Sequence, residues 1–380
     1  MDFELTEEHR MVQQTARSFA QKVLAKDVEE RDEKEEFPHE AVRQMGELGF
    51  MGIAIPEEYG GAGMDNISYV VMMEEIAKVD AGASTVVSVN NSLVCDILYK
   101  FGTEEQKQKF LKPLASGEKL GAFALSEAGA GSDPASLICS ARKEGNEYVI
   151  NGTKNFISNG DSSDIVIVFA TLDRSLGYKG ICAFIVEKER PGIKVTKKEK
   201  KMGIRSSDTC ELTFEDCRIP VENRLGEEGK GLRIALTALD GGRIGIAAQA
   251  LGIAQASLEA ALSYAKDRKQ FGRPIAEFQA IQFKLAEMAM EIEAARLLTY
   301  RAAWLKDQGE DIVRAAAMAK LKASAVAVKA ADEAVQILGG YGYIKDFPVE
   351  RFFRDAKITE IYEGTSEIQH LVIARSLLKD

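Results

Sequence analysis

Phe123-Ala-Leu-Ser-Glu-Ala-Gly-Ala-Gly-Ser-Asp133, followed by Pro134, is the stretch whose reading decides the fold. A strand pattern leads into Gly129 and Gly131 as it would in a dinucleotide-binding turn. The third glycine of G-x-G-x-x-G is missing, however, and the chain runs on through Pro134 toward another strand instead of a helix. A Rossmann site is rejected. The second glycine cluster, Leu338-Gly339-Gly340-Tyr341-Gly342-Tyr343, follows a helical pattern and also has the wrong context, and no G-x-x-x-x-G-K-[ST] occurs. Any nucleotide is therefore bound in a different mode.

Outward from that stretch the periodicity changes twice. From Leu5 to about Gly117 apolar residues recur at helical spacing, as at Val12, Ala16, Phe19 and Val23, and a helical run begins at Asn66. Thr103 and Gln106 have the spacing of a capping box, and the glycine-rich loop Pro56 to Gly63 reverses the chain. From Leu120 to about Ile219 come short β-branched and aromatic runs: Gly121 to Leu125, Glu147 to Asn151, Ile165 to Ala170, Ile181 to Val186, Ile193 to Thr196 and Cys210 to Phe214. Turn residues such as Glu144-Gly145-Asn146 and Asn159-Gly160 punctuate them, which predicts a compact antiparallel β-domain. The five lysines between Lys194 and Lys201 read as a protected strand edge, with a phosphate contact as the lesser alternative. From about Gly231 long alanine-rich helical patterns return, including Ala315 to Leu338 with Gly339-Gly340 as a stop, and predict an antiparallel helical bundle. The expected class is α+β, with a helical domain over 1–119, a β-domain over 120–228 and a helical-bundle domain over 229–380.

Composition narrows the function classes. The 380 residues are 46% hydrophobic and 28% charged, enough for a sizeable core, and the net charge of −10 argues against a general nucleic-acid binder. No window of about 18 uninterrupted apolar residues exists, and the opening Met1-Asp2-Phe3-Glu4-Leu5 is acidic, so no membrane span or export signal is expected. Cys95, Cys139, Cys182, Cys210 and Cys217 are odd in number and lack C-x-x-C spacing, which fits reduced thiols in a cytoplasmic protein. His9, His39 and His370 form no metal motif.

Near the C-terminus, Ile361-Tyr-Glu-Gly-Thr-Ser-Glu-Ile-Gln369 places one carboxylate beside a glycine. On spacing alone Ser366 and Gln369 resemble a capping box, and Glu363 is an acid favouring a helix start. Gly364 permits a positive φ or close approach to a ligand. Arg243, after Leu239-Asp240-Gly241-Gly242, reads as an ordinary helix-surface cation.

Several separated motifs nevertheless form one pattern: Phe123 to Asp133, Asn151-Gly-Thr-Lys-Asn-Phe-Ile-Ser-Asn-Gly160, Asp267-Arg-Lys-Gln-Phe-Gly-Arg-Pro274, Gln336-Ile-Leu-Gly-Gly340, Arg354-Asp-Ala-Lys357 and Tyr362-Glu-Gly-Thr365. In that order the whole chain resembles the acyl-CoA dehydrogenase family, closest to its short-chain, butyryl-CoA branch. The resemblance implies an N-terminal helical domain, a middle β-domain and a C-terminal four-helix domain. It also implies FAD extended between the last two, in a homotetramer whose subunits complete one another's flavin sites.

Carried across, the family's roles give Phe123, Leu125, Ser126, Gly131 and Ser132 contacts with the flavin or its phosphates, and Phe156 and Ser158 flank the isoalloxazine. Arg268, Gln270, Phe271 and Gln279 would meet the FAD of a neighbouring subunit, Gln336 and Gly340 would complete that contact, and Thr365 and Glu367 would lie near the adenosine end. Ser132, Asp240, Arg243, Tyr362 and Gly364 are the candidates for acyl-CoA. Some relatives place their base immediately before the arginine, where this chain has Gly242, so Glu363 is its only family-type base.

The implied reaction is α,β-dehydrogenation of a saturated acyl-CoA. Glu363 removes the α-proton, flavin N5 accepts the β-hydride, and electron transfer flavoprotein accepts the electrons. Burial is expected to outweigh the helix-end effect and raise the basicity of Glu363. The chain departs from common family forms at Phe156 for tryptophan, Ser158 for threonine, Ala128 for proline and His370 for arginine, which bears on flavin potential and chain length. An acyl-CoA oxidase, or a non-catalytic flavin-binding interaction protein, is the rival on the same scaffold.

Overall fold

The run Ile165-Val-Ile-Val-Phe-Ala-Thr171 is buried at every position, as expected of a β-branched and aromatic strand inside a sheet. Around it the computed structural model, which describes residues 4–379, builds the middle domain. Met1 to Phe3 of the acidic opening segment, and Asp380, lie outside the described residues.

The strands are β1 (Gly121–Ala124), β2 (Ser140–Glu144), β3 (Glu147–Ser158), β4 (Ile165–Thr171), β5 (Ile181–Glu187), β6 (Ile193–Lys198), β7 (Thr209–Pro220) and β8 (Arg224–Leu225). Their order is β6-β7-β3-β2-β4-β5-β8, with β1 added to β4. The antiparallel expectation needs a correction, because β1 runs parallel to β4 and β2 touches β4 in parallel at Ser140. The β2-β3 hairpin lies between β1 and β4 in sequence and supplies the long crossover that a parallel pair requires. Sequence periodicity missed β2, whose Ser-Ala-Arg-Lys-Glu buries one residue, and β8, which has only two residues.

The lysine-rich strand is β6 at the sheet edge, where Lys194 pairs with Glu215 at 2.6 Å and Lys197 with Glu199 at 2.7 Å. Lys200 and Lys201 leave that edge and line the central cleft instead.

The N-terminal third comprises α1 (Glu7–Lys22), α2 (Val28–Lys34), α3 (His39–Glu47), α4 (Asn66–Ala77), α5 (Ala81–Ser88), α6 (Asp96–Phe101), α7 (Glu104–Gln106) and α8 (Lys112–Ala115). The capping box at Thr103 and Gln106 forms as predicted. Between α5 and α6 the helix widens into a π turn, Val89–Cys95. There the Asn90 side-chain amide donates to Met51 O and Leu114 O, and its Oδ1 accepts from Gly121 N. The buried amide thus ties the first third to β1. From the other side, Asn159 Nδ2 donates to Val86 O and Gly121 O.

The C-terminal part comprises α9 (Gly231–Asp267), α10 (Gln279–Asp307), α11 (Val313–Leu338), α12 (Val349–Ile358) and α13 (Ser366–Leu377). Alanines buried along α9 and α11 allow these two helices to lie close, and α4 packs on α9. By length and composition α9 alone among the described helices could cross a membrane, but most of its apolar segment is buried within the protein. Such all-round burial is what an apolar helix without a polar face requires.

Candidate active site

Between α12 and α13 the chain turns through Glu363 (φ 52°) and Gly364 (φ 98°), two successive residues in the left-handed region. Glycine takes that conformation freely and glutamate does not, so the strain falls on Glu363. Helix α13 is capped by Thr365, whose hydroxyl accepts from Ile368 N at 3.4 Å. The expected Ser366 cap is therefore one residue late. Gln369 is freed from any capping role and donates from Nε2 to Gly364 O at 2.8 Å.

Glu363 reaches into a cleft of about 630 Å³ bounded by the middle domain, α5, the π turn and α9. The residue as a whole is part-buried, yet its Oε2 is shut away from solvent with no hydrogen-bond partner. Burial pushes the carboxyl up to about 8, against the opposing pull of Lys320 and Arg243. Gly242 lies directly against it: a Cβ there would stand 1.9 Å from Glu363 Oε2. Positions 242 and 363 thus converge on one point in space, and a side chain at 242 would take the room that the Glu363 carboxyl occupies.

Arg243 is not a surface cation. It is 5% exposed, its Nη1 donates to Asp240 Oδ1 at 2.5 Å, and its buried Nε has no partner among the described residues. Burial lowers the Arg243 pKa and raises that of Asp240, each opposed by the other's charge. Tyr362 lines the cleft and donates its hydroxyl to Gln249 Oε1, while Gln249 Nε2 donates to Thr85 Oγ1 at 2.8 Å.

Phe123, Leu125, Ser126, Gly131, Ser132, Phe156 and Ser158 line the same cleft from the β-domain. Phe156 is 67% exposed and has φ 58°, so the end of β3 turns its ring outward against its intrinsic preference. A Cβ added at Gly129 or Gly131 would meet nothing within 4 Å, which leaves an open backbone cradle beside Ser132. Beneath it, the fully buried Lys154 Nζ bonds Leu125 O at 3.0 Å and Glu127 Oε1 at 2.7 Å, fixing the loop.

Gly364 and Thr365 also line the cleft, whereas Glu367 is exposed on α13 and outside its lining. Arg268, Gln270 and Gly340 come together elsewhere, around a recess of about 530 Å³, with the Arg268 guanidinium 5.6 Å from the Tyr341 ring centre. Phe271 tips the hairpin formed by β9 (Lys269–Gln270) and β10 (Arg273–Pro274) and is 94% exposed. Gln279 and Gln336 are exposed near that hairpin's helices and line neither cavity.

This geometry has close counterparts. Family models match the chain over 6–118 (acyl-CoA dehydrogenase, N-terminal domain), 122–217 (middle domain) and 229–378 (C-terminal domain). The chain belongs to the acyl-CoA dehydrogenase family, whose members are FAD-dependent oxidoreductases.

It is 53% identical over 376 residues to the mitochondrial short-chain specific acyl-CoA dehydrogenase of Bos taurus, covering 99% of this chain and 91% of that one. It is 52% identical to the short-chain specific acyl-CoA dehydrogenase of Clostridium acetobutylicum over the full length of both. Its structure superposes on butyryl-CoA dehydrogenase from Megasphaera elsdenii with a TM-score of 0.98 at 50% identity, covering both chains completely. A chain solved in work on the electron transferring flavoprotein of Acidaminococcus fermentans matches with a TM-score of 0.99 at 53% identity, again over both whole chains.

For an acyl-CoA dehydrogenase, two buried residues beside the turn escaped sequence reading: Lys320 and Gln369. Lys320 has a detectable signal. It falls in phase with Ala316, Ala323 and Ala327 on the buried stripe of α11, where a lysine has no solvent to reach. Gln369 has none, since a capping glutamine and a buried one look alike in sequence.

Proposed function

We propose that this chain oxidises a short-chain acyl-CoA, with butyryl-CoA as the expected substrate, to the trans-2-enoyl-CoA. The observation that carries this reading is the carboxyl of Glu363, held in the cleft by left-handed backbone with a buried, unpartnered oxygen and Gly242 beneath it. Its raised pKa makes it a stronger base than an exposed carboxylate, as removal of a weakly acidic α-proton requires. Glu363 takes that proton on its carboxylate and ends the step as the neutral acid. The Glu363 N–H makes no hydrogen bond to any described residue, so it is free to donate to the thioester oxygen as negative charge builds there.

The residues present fit a flavin. Phe156 offers an uncovered ring, Ser126 and Ser158 offer hydroxyl donors, and the open glycines beside Ser132 leave backbone accessible to a phosphate. Bound FAD would supply the acceptor for the β-hydride. Phe123, Leu125, Ser126, Gly131, Ser132, Phe156 and Ser158 would hold it from this chain, with Thr365 of the same lining and the exposed Glu367 on α13 assigned toward its far end. Ser132, Asp240, Arg243, Tyr362 and Gly364 are assigned to the acyl-CoA.

Arg268, Gln270, Phe271, Gln279, Gln336 and Gly340 are assigned to the flavin of a second copy, in a homotetramer. Their place away from the cleft of their own chain, exposed at all but the half-buried Arg268, supports that assignment. Electron transfer flavoprotein as acceptor is supported by the match to the Acidaminococcus fermentans work. The five free, buried cysteines agree with a reducing cytoplasmic setting.

The short-chain preference is supported by the names of the relatives. The Tyr362 and Thr85 wall is consistent with it, because the fully buried Gln249 bonds both and fixes that side of the cleft. An anaerobic absorbance titration with C4, C6, C8 and branched acyl-CoAs tests the reading. Butyryl-CoA is expected to bleach the flavin most efficiently; stronger bleaching by the C8 thioester would overturn the chain-length assignment. Hydrogen peroxide formed during turnover would point to an oxidase.

A further inference from the structure

Two consecutive left-handed residues, one of them glutamate, hold their shape only if something outside the turn fixes them. Two side chains from outside the turn converge on one of its atoms. The carbonyl oxygen of Gly364 accepts from Lys320 Nζ at 2.7 Å and from Gln369 Nε2 at 2.8 Å, and Gln369 Nε2 also lies 3.4 Å from Glu363 O. Both side chains are completely buried. They come from different helices, Lys320 from the N-terminal third of α11 and Gln369 from the first turn of α13. The fit is tight, since a Cβ at Gly364 would stand 2.6 Å from Gln369 Nε2.

Lys320 is an expensive choice for this task. A buried ammonium carries a desolvation cost that a neutral donor would avoid, and a carboxylate partner would offset it. None of the described carboxylates is in ion-pair contact with Lys320, whose bond goes to a carbonyl oxygen. The nearest charges acting on it are Glu363 in the turn, Arg243 from α9, Glu360 after α12 and Glu367 on α13. Glu363 is faced in turn by Lys320 and by Arg243, and Asp240 already holds Arg243. Lys320 is therefore the amine beside Glu363 without a carboxylate of its own; burial brings its pKa down to about 8 against the pull of Glu363, so it is a cation below that pH, while Tyr362 and Tyr69 nearby are neutral, their ionisation suppressed by burial.

We infer that Lys320 and Gln369 are positioning residues that clamp the Gly364 carbonyl, aiming the Glu363 carboxyl and N–H into the cleft, and that the Lys320 charge sets the pH at which this carboxyl ionises. The inference rests on Glu363 being the base. Lys320 opposes the rise that burial imposes, so that Glu363 is basic enough to take a proton and still ionised in a useful fraction of molecules.

The test uses the flavin-loaded protein and two readouts. One is an infrared titration of the Glu363 carboxylic C=O band, assigned by its loss in Glu363→Gln. The other is the pH profile of anaerobic flavin reduction by butyryl-CoA. Lys320→Met is expected to raise the carboxyl midpoint by about 1 unit and to move the reduction profile by the same amount. Gln369→Leu keeps the cation, so it should leave the midpoint in place while lowering the limiting rate about 10- to 100-fold.

If Lys320→Met fails to hold flavin, Lys320→Arg decides: a midpoint at the wild-type value with a slower limiting rate supports the clamp. A wild-type midpoint in Lys320→Met, a shifted one in Lys320→Arg, or a wild-type limiting rate in Gln369→Leu overturns the inference. Failure of the base assignment looks different. Glu363→Gln would then reduce normally, while the infrared midpoint of Lys320→Met would still report whether the cation acts on Glu363.

Discussion

The turn at Glu363-Gly364 and the hairpin tip at Phe271-Gly272 use the same backbone device in opposite surroundings. Each is a non-glycine residue with positive φ followed by a glycine with positive φ, 52° and 98° in the first, 53° and 81° in the second. At Phe271 the conformation is what a two-residue hairpin turn demands, so β9 and β10 themselves hold it. At Glu363 no hairpin exists, and the turn is held by tertiary contacts from α11 and α13. The ends differ accordingly. Glu363 points into a cleft made by its own chain, whereas Phe271 is 94% exposed, its ring edge-on to that of Phe278. The first region faces a cleft of its own chain; the second faces outward, as the proposed contact with a second copy requires.

Alanine at the two glycines should separate them most sharply. Gly364→Ala adds a Cβ that collides with Gln369 Nε2 at 2.6 Å, and it should slow anaerobic flavin reduction by about 100-fold or more. Gly272→Ala meets nothing within 4 Å and should cost only about 1 kcal/mol in thermal unfolding, with the reduction rate unchanged.

Between those extremes lies the pH response of the buried turn. In the proposed mechanism ionised Glu363 is the active form, so reduction at low butyryl-CoA should rise about tenfold per pH unit and level off above about 8. The same shift has a stability sign. A carboxyl raised from 4.5 contributes stability that is fully present below its ordinary range and lost as pH rises through about 8, so Glu363→Gln should flatten the alkaline fall of the melting temperature. A weaker effect is expected at the exposed tip. Phe271→Ala should lower flavin retention about tenfold in a way that worsens on dilution, as gel filtration with absorbance detection would show; dilution-independent retention would remove the second-copy assignment.

The sequence was most legible where pattern and local geometry coincide. The buried β4 run, the Thr103 cap and the stop at Gly339 all declare themselves through residues adjacent in the chain. The parallel placement of β1 on β4 and the strand β2 did not, because pairing direction is a tertiary property and β2 buries one residue of five.

At the site the same division holds. The family resemblance named residues that do line the cleft, including Phe156, Ser126, Arg243 and Glu363, but not the walls that α5, the π turn and the segment from Glu199 to Ile204 contribute. What they could not show was burial, which turns Arg243 from a surface cation into a desolvated one and gives Lys320 and Gln369 their part in the turn. Nor does any one-dimensional pattern reveal that the Cβ missing at Gly242 is the space Glu363 occupies.

The central claim is that the carboxyl of Glu363 is the base. Glu363→Gln, isolated with its flavin and mixed anaerobically with butyryl-CoA, tests it directly by stopped-flow absorbance. The account predicts a yellow protein that binds the thioester but is reduced at least about 1000-fold more slowly than the wild type. Reduction at the wild-type rate would contradict it.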